Sequence, residues 1–304
     1  MTTAVSLRLA LAANAVFSIT CAGLMLFRPS LVGGWFGVQA PLVLQAVGAG
    51  LVFFAADLLH QTTRRRIETW RALYASAADF LWVIGTVVLL ALFPSVFSTT
   101  GNALVVAVAV AVFHFGAWQL WAIGHAHKIP GISEYRHCII VEVNAPSDAM
   151  WRVVSRLGDI KDYMPSLRRS ILAAGRSPGV GAVRTCEDHS GKQWSEECTA
   201  FKTGRSFAVR FLSEAPAFPF PAKTMRGGWE VTPADGGSHV MVWWELLPKP
   251  KLLAPIILPL LAFQVDRDFT KIIQRMAADA LGHTPEAPNQ QLPRAIARLL
   301  PNFC

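Results

Sequence analysis

The stretch "VEVNAPSDAMWRVVSRLGDIKDYMPSLRRS", residues 141–170, decides the fold of the second half of the chain. Its first residues continue the alternating run "HCIIVEV", in which Ile139, Val141 and Val143 share one face, as expected of a strand. An Asn-Ala-Pro turn ends this run, and the apolar residues then recur at helical spacing up to Gly158. The stretch therefore predicts a strand followed by a helix, which is how a soluble α+β domain can begin.

Downstream, the pattern predicts six short strands and one long helix. The strands lie within residues 170–248 and are separated by the turn signals "SPGVG", "HSGK", "KTGR" and "ADGG". Connectors this short require antiparallel pairing. The helix is predicted over about 252–282, where apolar and charged residues fall on opposite sides at helical spacing.

Upstream, the chain is almost entirely apolar. Four apolar runs, roughly 5–27, 39–59, 70–93 and 102–123, are each long enough to cross a bilayer at about 1.5 Å per residue. They predict an N-terminal all-α transmembrane four-helix bundle.

Three segments follow from these patterns. Residues 1–128 are predicted to form the transmembrane domain and residues 132–283 the soluble domain, with a break at Pro130 and Gly131. Residues 284–304 are rich in Pro and Gln and are interpreted as a flexible tail, whose "RAIARLL" segment could touch the membrane.

Composition and charge narrow the possible functions. A hydrophobic fraction of 53% is too high for a single soluble globule. The net charge of +8 is spread over all three segments, and Lys and Arg do not cluster with stacking aromatics, so a nucleic-acid partner is not expected. The five cysteines have neither CxxC nor zinc-type spacing. They are interpreted as reduced thiols, and no metal and no cofactor are expected.

The connectors between the apolar runs predict an orientation. The second connector, "HQTTRRRIET", holds three arginines at 64–66, whereas the third, "PSVFSTTG", carries no charge. Because positive residues concentrate on the cytoplasmic side, this loop and both termini are predicted to be cytoplasmic, in an inner membrane of the bacterial type.

Three polar residues stand inside the apolar runs. Asn14, Asp79 and His114 each lie about nine residues from the predicted cytoplasmic end of a run, so they could meet in one layer. Two interpretations stay open: hydrogen bonds that hold the helices together, or a proton or ligand site.

The order of elements in the second half resembles the START-like, or SRPBCC, superfamily. The resemblance covers roughly residues 135–283 and is carried by the opening stretch, by "SPGVGAVRTCED" and "TAFKTGRSFAVRFL", and by "GGWEVTPADGGSHVMVWWEL". It is closest to the polyketide cyclase/dehydrase and lipid-transport subgroup. The resemblance implies a helix-grip fold, with a curved antiparallel sheet around a long C-terminal helix and an apolar cavity between them. Such a cavity would hold a hydrophobic small molecule.

Several residues are predicted to face this cavity or to act in it. Glu196 and Glu197 are neighbours on one predicted strand, so only one of them can point inward, where it would be a candidate acid or base. No nucleophile, base and acid form a recognisable set, and the catalytic residues are left unknown. The predicted ligand-binding residues are Trp151, Tyr163, Arg184, Trp194, Arg210, Trp229, Phe263 and Phe269.

The predicted function is membrane-anchored binding or transport of a hydrophobic small molecule or lipid in the cavity. The predicted partners are this ligand and the lipid bilayer, and protein partners are left open. The "EAPAFPFPAK" loop, with Phe218 and Phe220, would either cover one end of the cavity or dip into the membrane as its entrance. Two alternatives remain: a polyketide cyclase/dehydrase-type enzyme, and a regulatory interaction module.

Overall fold

The structure, a computed structural model, describes residues 3–64, 67–283 and 295–299. The chain divides into two compact units, one ending at Ala126 and the other beginning at His127. Arg65 and Arg66, on which the predicted orientation partly rests, lie outside the described residues.

The first unit consists of helices. Four of them contain spans that are long and apolar enough to cross a membrane, which confirms the four predicted runs. A shorter helix, not predicted, follows the first; it begins with Pro29 and ends at Phe36, and it is capped by Gly37, whose φ of 75° suits glycine. The helices are α1 (Thr3–Phe27), α2 (Pro29–Phe36), α3 (Pro41–Thr63), α4 (Thr69–Leu92) and α5 (Thr99–Ala126).

This unit is apolar on its outside as well as in its core. Leu7, Leu11 and Leu58 are fully or nearly fully buried between helices. On the outer surface, by contrast, Phe27 is 82% exposed and Phe53 is 78% exposed. Large apolar side chains on the surface of a long helix suit contact with lipid rather than with water.

A buried polar cluster joins three of these helices. Asn14 Nδ2 on α1 donates to Asp79 Oδ2 on α4 at 2.8 Å, and Gln119 Nε2 on α5 donates to the same oxygen at 3.1 Å. His114 does not join them, contrary to the prediction, and its Nδ1 lies 2.7 Å from the carbonyl oxygen of Val110 in its own helix. At about 100° per residue, positions 114 and 119 point about 140° apart, so Gln119 faces the cluster and His114 does not.

The second unit is built on one eight-stranded antiparallel sheet. Its order is β2-β3-β4-β5-β6-β7-β1-β8, a meander to which the first strand adds at the β7 edge. The strands are β1 (Tyr135–Val143), β2 (Leu167–Leu172), β3 (Val183–Asp188), β4 (Gln193–Lys202), β5 (Ser206–Phe211), β6 (Ala222–Ala234), β7 (Gly237–Pro248) and β8 (Ala295–Leu299).

Helices cover the inner face of this sheet. After β1 come α6 (Ser147–Val154) and a 3₁₀ turn (Leu157–Asp162), and the long helix α7 (Ala254–Ala280) follows a short 3₁₀ turn (Lys251–Leu253). On α7, Ile273 and Ala277 are fully buried against the inner strand faces. A curved antiparallel sheet with one long C-terminal helix is the predicted helix-grip fold, which is thereby confirmed.

The tail differs from its prediction over five residues. Residues 295–299, interpreted from sequence as part of a flexible tail, form β8 and pair with β1 from Ile139↔Leu299 to Val143↔Ala295. Without β8, the outer edge of β1 would present unpaired backbone groups. The five residues of β8 pair with these groups. The rest of the predicted tail lies outside the described residues.

Among the four cysteines within the described residues, one differs from its prediction, and Cys304 lies outside these residues. Cys21, Cys186 and Cys198 are free thiols, as expected, whereas Cys138 is disulfide-bonded. Within the described ranges, no three His, Cys, Asp or Glu side chains gather closely enough to hold a metal ion.

Candidate functional site

A cavity of about 490 Å³ lies between the inner faces of the strands and one side of α7. This volume is within the range of small-molecule sites in proteins, about 300–1,000 Å³. Its walls are mostly apolar and aromatic, with contributions from β5, β6, β7 and α7. Among the lining residues are Phe211, Trp229, Val242, Trp244, Leu261 and Phe269.

The alternation of side chains along the strands creates this wall. On β7, Val242 and Trp244 point inward, two residues apart, and both are almost fully buried. Trp229 on β6 joins them, and Phe269 of α7 packs between the two indoles, with ring centroids 5.7 Å from Trp229 and 4.6 Å from Trp244. Aromatic packing therefore fixes the helix against the sheet beside the open space.

The loop between β5 and β6 covers one end of the cavity. Its two phenylalanines contact each other, with the centroids of Phe218 and Phe220 5.4 Å apart. Phe220 also packs on Trp194 at 5.1 Å and lines the cavity. Both rings pack against the core of the unit, so this loop covers the cavity with its aromatic side chains turned inward.

One buried ion pair interrupts the apolar wall. Arg184 on β3 and Glu196 on β4 are directly cross-strand neighbours, and they are only 6% and 5% exposed. Arg184 Nη2 donates to Glu196 Oε2, and Arg184 Nη1 donates to the carbonyl oxygen of Leu157 at 2.8 Å. Trp194 Nε1 donates to the other carboxylate oxygen, Glu196 Oε1, at 2.8 Å. Both oxygens of Glu196 are therefore engaged.

The charges in this wall affect one another. Burial is the largest single effect and would lower the pKa of Arg184, but the charge and hydrogen bond of Glu196, together with Cys186 and Cys198, raise it overall, so the guanidinium stays charged. Burial, with a contribution from Glu196, raises the pKa of Cys186 to about 11. At neutral pH the Cys186 side chain is thus a thiol and a poor nucleophile.

The neighbouring glutamate faces the other side of the sheet. Glu197 accepts a hydrogen bond from Arg210 Nη2 at 3.0 Å, and Arg210 Nη1 contacts Glu214 at the same distance. Arg210 is not among the residues that line the cavity. Glu196 and Glu197 therefore lie on opposite faces, as the alternation of the strand requires.

Four of the eight residues predicted to bind ligand line the cavity. They come from both layers of the unit, with three on strands and one on α7. They are Arg184, Trp194, Trp229 and Phe269.

The other four lie elsewhere. Trp151 packs on Phe201 in the core, with centroids 5.4 Å apart. The Tyr163 hydroxyl is held by Asp279 and by Arg156, whose Nη2 lies 2.6 Å away. Phe263 is 42% exposed on α7, and Arg210 is on the outer face of the sheet as described above.

Residues 140–280 match the family described as "Polyketide cyclase / dehydrase and lipid transport". The matched segment contains the meander, α7 and all the cavity residues named above. Residues 140–280 form a domain of the SRPBCC superfamily. Among curated proteins, none matches the chain.

Solved structures similar to the SRPBCC domain cover about half of the chain. Ara h 8.0201 is 15% identical over 49% of this chain and 99% of its own, with a TM-score of 0.40. A point mutant of norcoclaurine synthase from Thalictrum flavum, in complex with a transition-state analogue, is 17% identical over 51% and 98%, also with a TM-score of 0.40. The protein XoxI from Bacillus cereus is 16% identical over 50% and 99%, with a TM-score of 0.37.

Several lining residues of the SRPBCC domain were missed from the sequence. Cys186, Val242 and Trp244 share an inward face with predicted residues on the same or neighbouring strands. The alternation along each strand is visible in the sequence, and it would have supplied these residues once one inward position was known.

Proposed function

We propose that this chain is a membrane-anchored protein whose SRPBCC domain binds a hydrophobic small molecule or lipid in its cavity and exchanges it with the bilayer. The proposal keeps residues 1–128 as the anchor and 132–283 as the binding domain. The observation that carries it is the largely apolar cavity of about 490 Å³ between the sheet and α7. Four helices suited to crossing a membrane support the anchoring.

The start of α7 supports exchange with lipid. Leu252, Ile256 and Leu260 recur at helical spacing and are 88%, 40% and 55% exposed. Lys249 and Lys251 stand next to them in the sequence, and no acidic residue occurs from 246 to 265. An apolar helix face flanked by positive charge suits contact with an anionic lipid surface.

The hydrogen bonds that Glu196 accepts favour a binding function over a catalytic one. Glu196 is the inward member of the two candidate glutamates, but Arg184 and Trp194 occupy its oxygens. A general base needs an oxygen within reach of a substrate proton. A cyclase or dehydratase that used Glu196 as its base would have to do so with an oxygen that already accepts a hydrogen bond from Arg184 or Trp194.

A cavity-filling variant tests the proposal. Ala262 on α7 is 4% exposed and lines the cavity, so Ala262→Phe should occupy part of it. The full-length protein in nanodiscs is titrated with 1-aminoanthracene, a neutral apolar fluorophore, and empty nanodiscs supply the background. We expect affinity to fall by about tenfold, which is about 1.4 kcal/mol.

The matched control is Ala174→Phe, the same substitution at an exposed position that does not line the cavity. It should leave the affinity unchanged, and circular dichroism should show that both variants fold. Equal affinity in wild type and Ala262→Phe would overturn the proposal, because the fluorophore would then bind outside the cavity.

A further inference from the structure

One buried donor in the cavity wall has no partner. Arg184 places its two Nη groups on Glu196 and on the carbonyl oxygen of Leu157. Its third nitrogen, Nε, is buried and finds no hydrogen-bond acceptor among the described residues. Burying an N–H group without an acceptor costs free energy, and native proteins rarely contain such an unpaired donor.

The position of this donor points to a ligand. Arg184 is 6% exposed and lines the cavity, and its strand neighbour Cys186 lines it too. The thiol of Cys186 donates to Ser170 Oγ at 3.8 Å, and no sulfur or oxygen atom of the described residues accepts from Arg184 Nε. The cavity that Arg184 lines is the open space from which a ligand could supply an acceptor.

The charge of the wall selects the kind of acceptor. Arg184 is already neutralised by the carboxylate of Glu196, so the pair as a whole carries no net charge. A ligand carboxylate at Nε would be a second anion directly beside Glu196; the other cations that line the cavity, Lys271 and Arg275, lie on α7, where Asp268 lines it as well. A neutral oxygen would satisfy Nε without this cost.

We propose that the cavity selects a neutral apolar molecule with one hydrogen-bond-accepting oxygen, a ketone, ester or hydroxyl, which binds Arg184 Nε. This inference rests on the proposed function, because it assigns the ligand class of the same cavity. Arg184 is then a specificity-determining residue, and the mostly apolar remainder of the wall contributes affinity without selecting a functional group.

Matched probes of one chain length test it. Dodecan-2-one, dodecane and dodecanoic acid at pH 8, where the acid is ionised, compete with 1-aminoanthracene for the full-length protein in nanodiscs. A hydrogen bond to a charged donor predicts that the ketone binds about tenfold more tightly than dodecane, and the carboxylate more weakly than the ketone.

Arg184→Lys keeps the positive charge beside Glu196 but removes Nε. We expect it to lose the preference for the ketone while dodecane still binds. Arg210→Lys is the matched control, since Arg210 pairs with Glu197 on the outer face, and it should keep the preference. If Arg184→Lys does not fold, the double variant Arg184→Met/Glu196→Leu removes both charges together and serves the same comparison.

A direct readout follows the hydrogen bond itself. The carbonyl infrared band of ¹³C-labelled dodecan-2-one should shift to lower frequency in the wild type and in Arg210→Lys, and not in Arg184→Lys. A band that shifts in Arg184→Lys as far as it does in the wild type, or equal binding of dodecane and ketone, would show that Arg184 Nε does not bind the ligand oxygen and would overturn the inference. Failure of every probe to displace the fluorophore would instead overturn the proposed function.

Discussion

Two adjacent glutamates on β4 meet opposite environments. Glu196 is 5% exposed and pairs with the buried Arg184, whereas Glu197 pairs with Arg210 at the surface. Removing one partner of a buried pair leaves an uncompensated charge in an apolar wall. An exposed pair is screened by water and contributes little.

This contrast predicts different losses of stability. Glu196→Ala should lower the free energy of unfolding by about 3–5 kcal/mol, and Glu197→Ala by less than about 1 kcal/mol. Urea unfolding of the full-length protein in detergent, followed by tryptophan fluorescence, measures both. Similar losses in the two variants would contradict the burial of the Arg184–Glu196 pair.

For single residues, the sequence predicts that neighbours on a strand face opposite sides of the sheet, but it does not predict which of them faces the cavity. The alternation along β4 predicted that Glu196 and Glu197 face opposite sides, and they do. It did not predict which of them is inward, because that depends on the register with β3 and β5. A register shift between Cys198 and Ala200 further changes the alternation along β4. Arg210 was misplaced for the same reason.

At the scale of elements, three helices of the first unit meet at one carboxylate. Asp79 on α4 accepts hydrogen bonds from Asn14 on α1 and Gln119 on α5. Such bonds between apolar helices are worth about 1–2 kcal/mol in model peptides. The cluster can thus be interpreted as an interhelical connection.

Two substitutions separate this interpretation from a proton or ligand site. Asp79→Asn keeps an acceptor oxygen and should leave thermal stability in detergent close to wild type, whereas Asp79→Leu should lower stability by about 1–2 kcal/mol. Fluorescence-detected size-exclusion chromatography after heating measures both. If Asp79→Asn lost as much stability as Asp79→Leu, or lost ligand exchange while staying folded, the carboxylate itself would be required.

Elements were predictable where their patterns are long. The four apolar runs and the order of β1 to β7 and α7 follow from hydropathy and turn residues. The short helix α2 and strand β8 did not, since eight and five residues give too little periodicity to detect. The disulfide at Cys138 was also missed, because cysteine spacing alone does not show which cysteines pair.

For the whole molecule, orientation in the membrane is the property on which the proposed function depends. The second connector carries Arg64 and its two neighbours, and the connector between α4 and α5 carries no charge. The positive-inside rule therefore predicts that the SRPBCC domain lies on the cytoplasmic side. A disulfide at Cys138 is more typical of an oxidising compartment, so the two observations point to different sides.

Two reporter proteins, each fused at the same position, distinguish a cytoplasmic from a non-cytoplasmic SRPBCC domain. Green fluorescent protein fused after residue 304 should fluoresce in Escherichia coli, and alkaline phosphatase at the same point should be inactive, if the domain is cytoplasmic. As a control, both reporters are fused after Ser98, in the uncharged connector, where they should give the reverse result.

The positive charge of the connectors sets the orientation of the helices in the membrane. Replacing the arginines at 64–66 by Gln should therefore weaken the preference for a cytoplasmic domain, and the reporters should then show mixed orientation. Active phosphatase after residue 304 in the unsubstituted chain would place the SRPBCC domain outside the cytoplasm. Its cavity would then exchange ligand with the opposite leaflet, and the disulfide at Cys138 would have its expected surroundings.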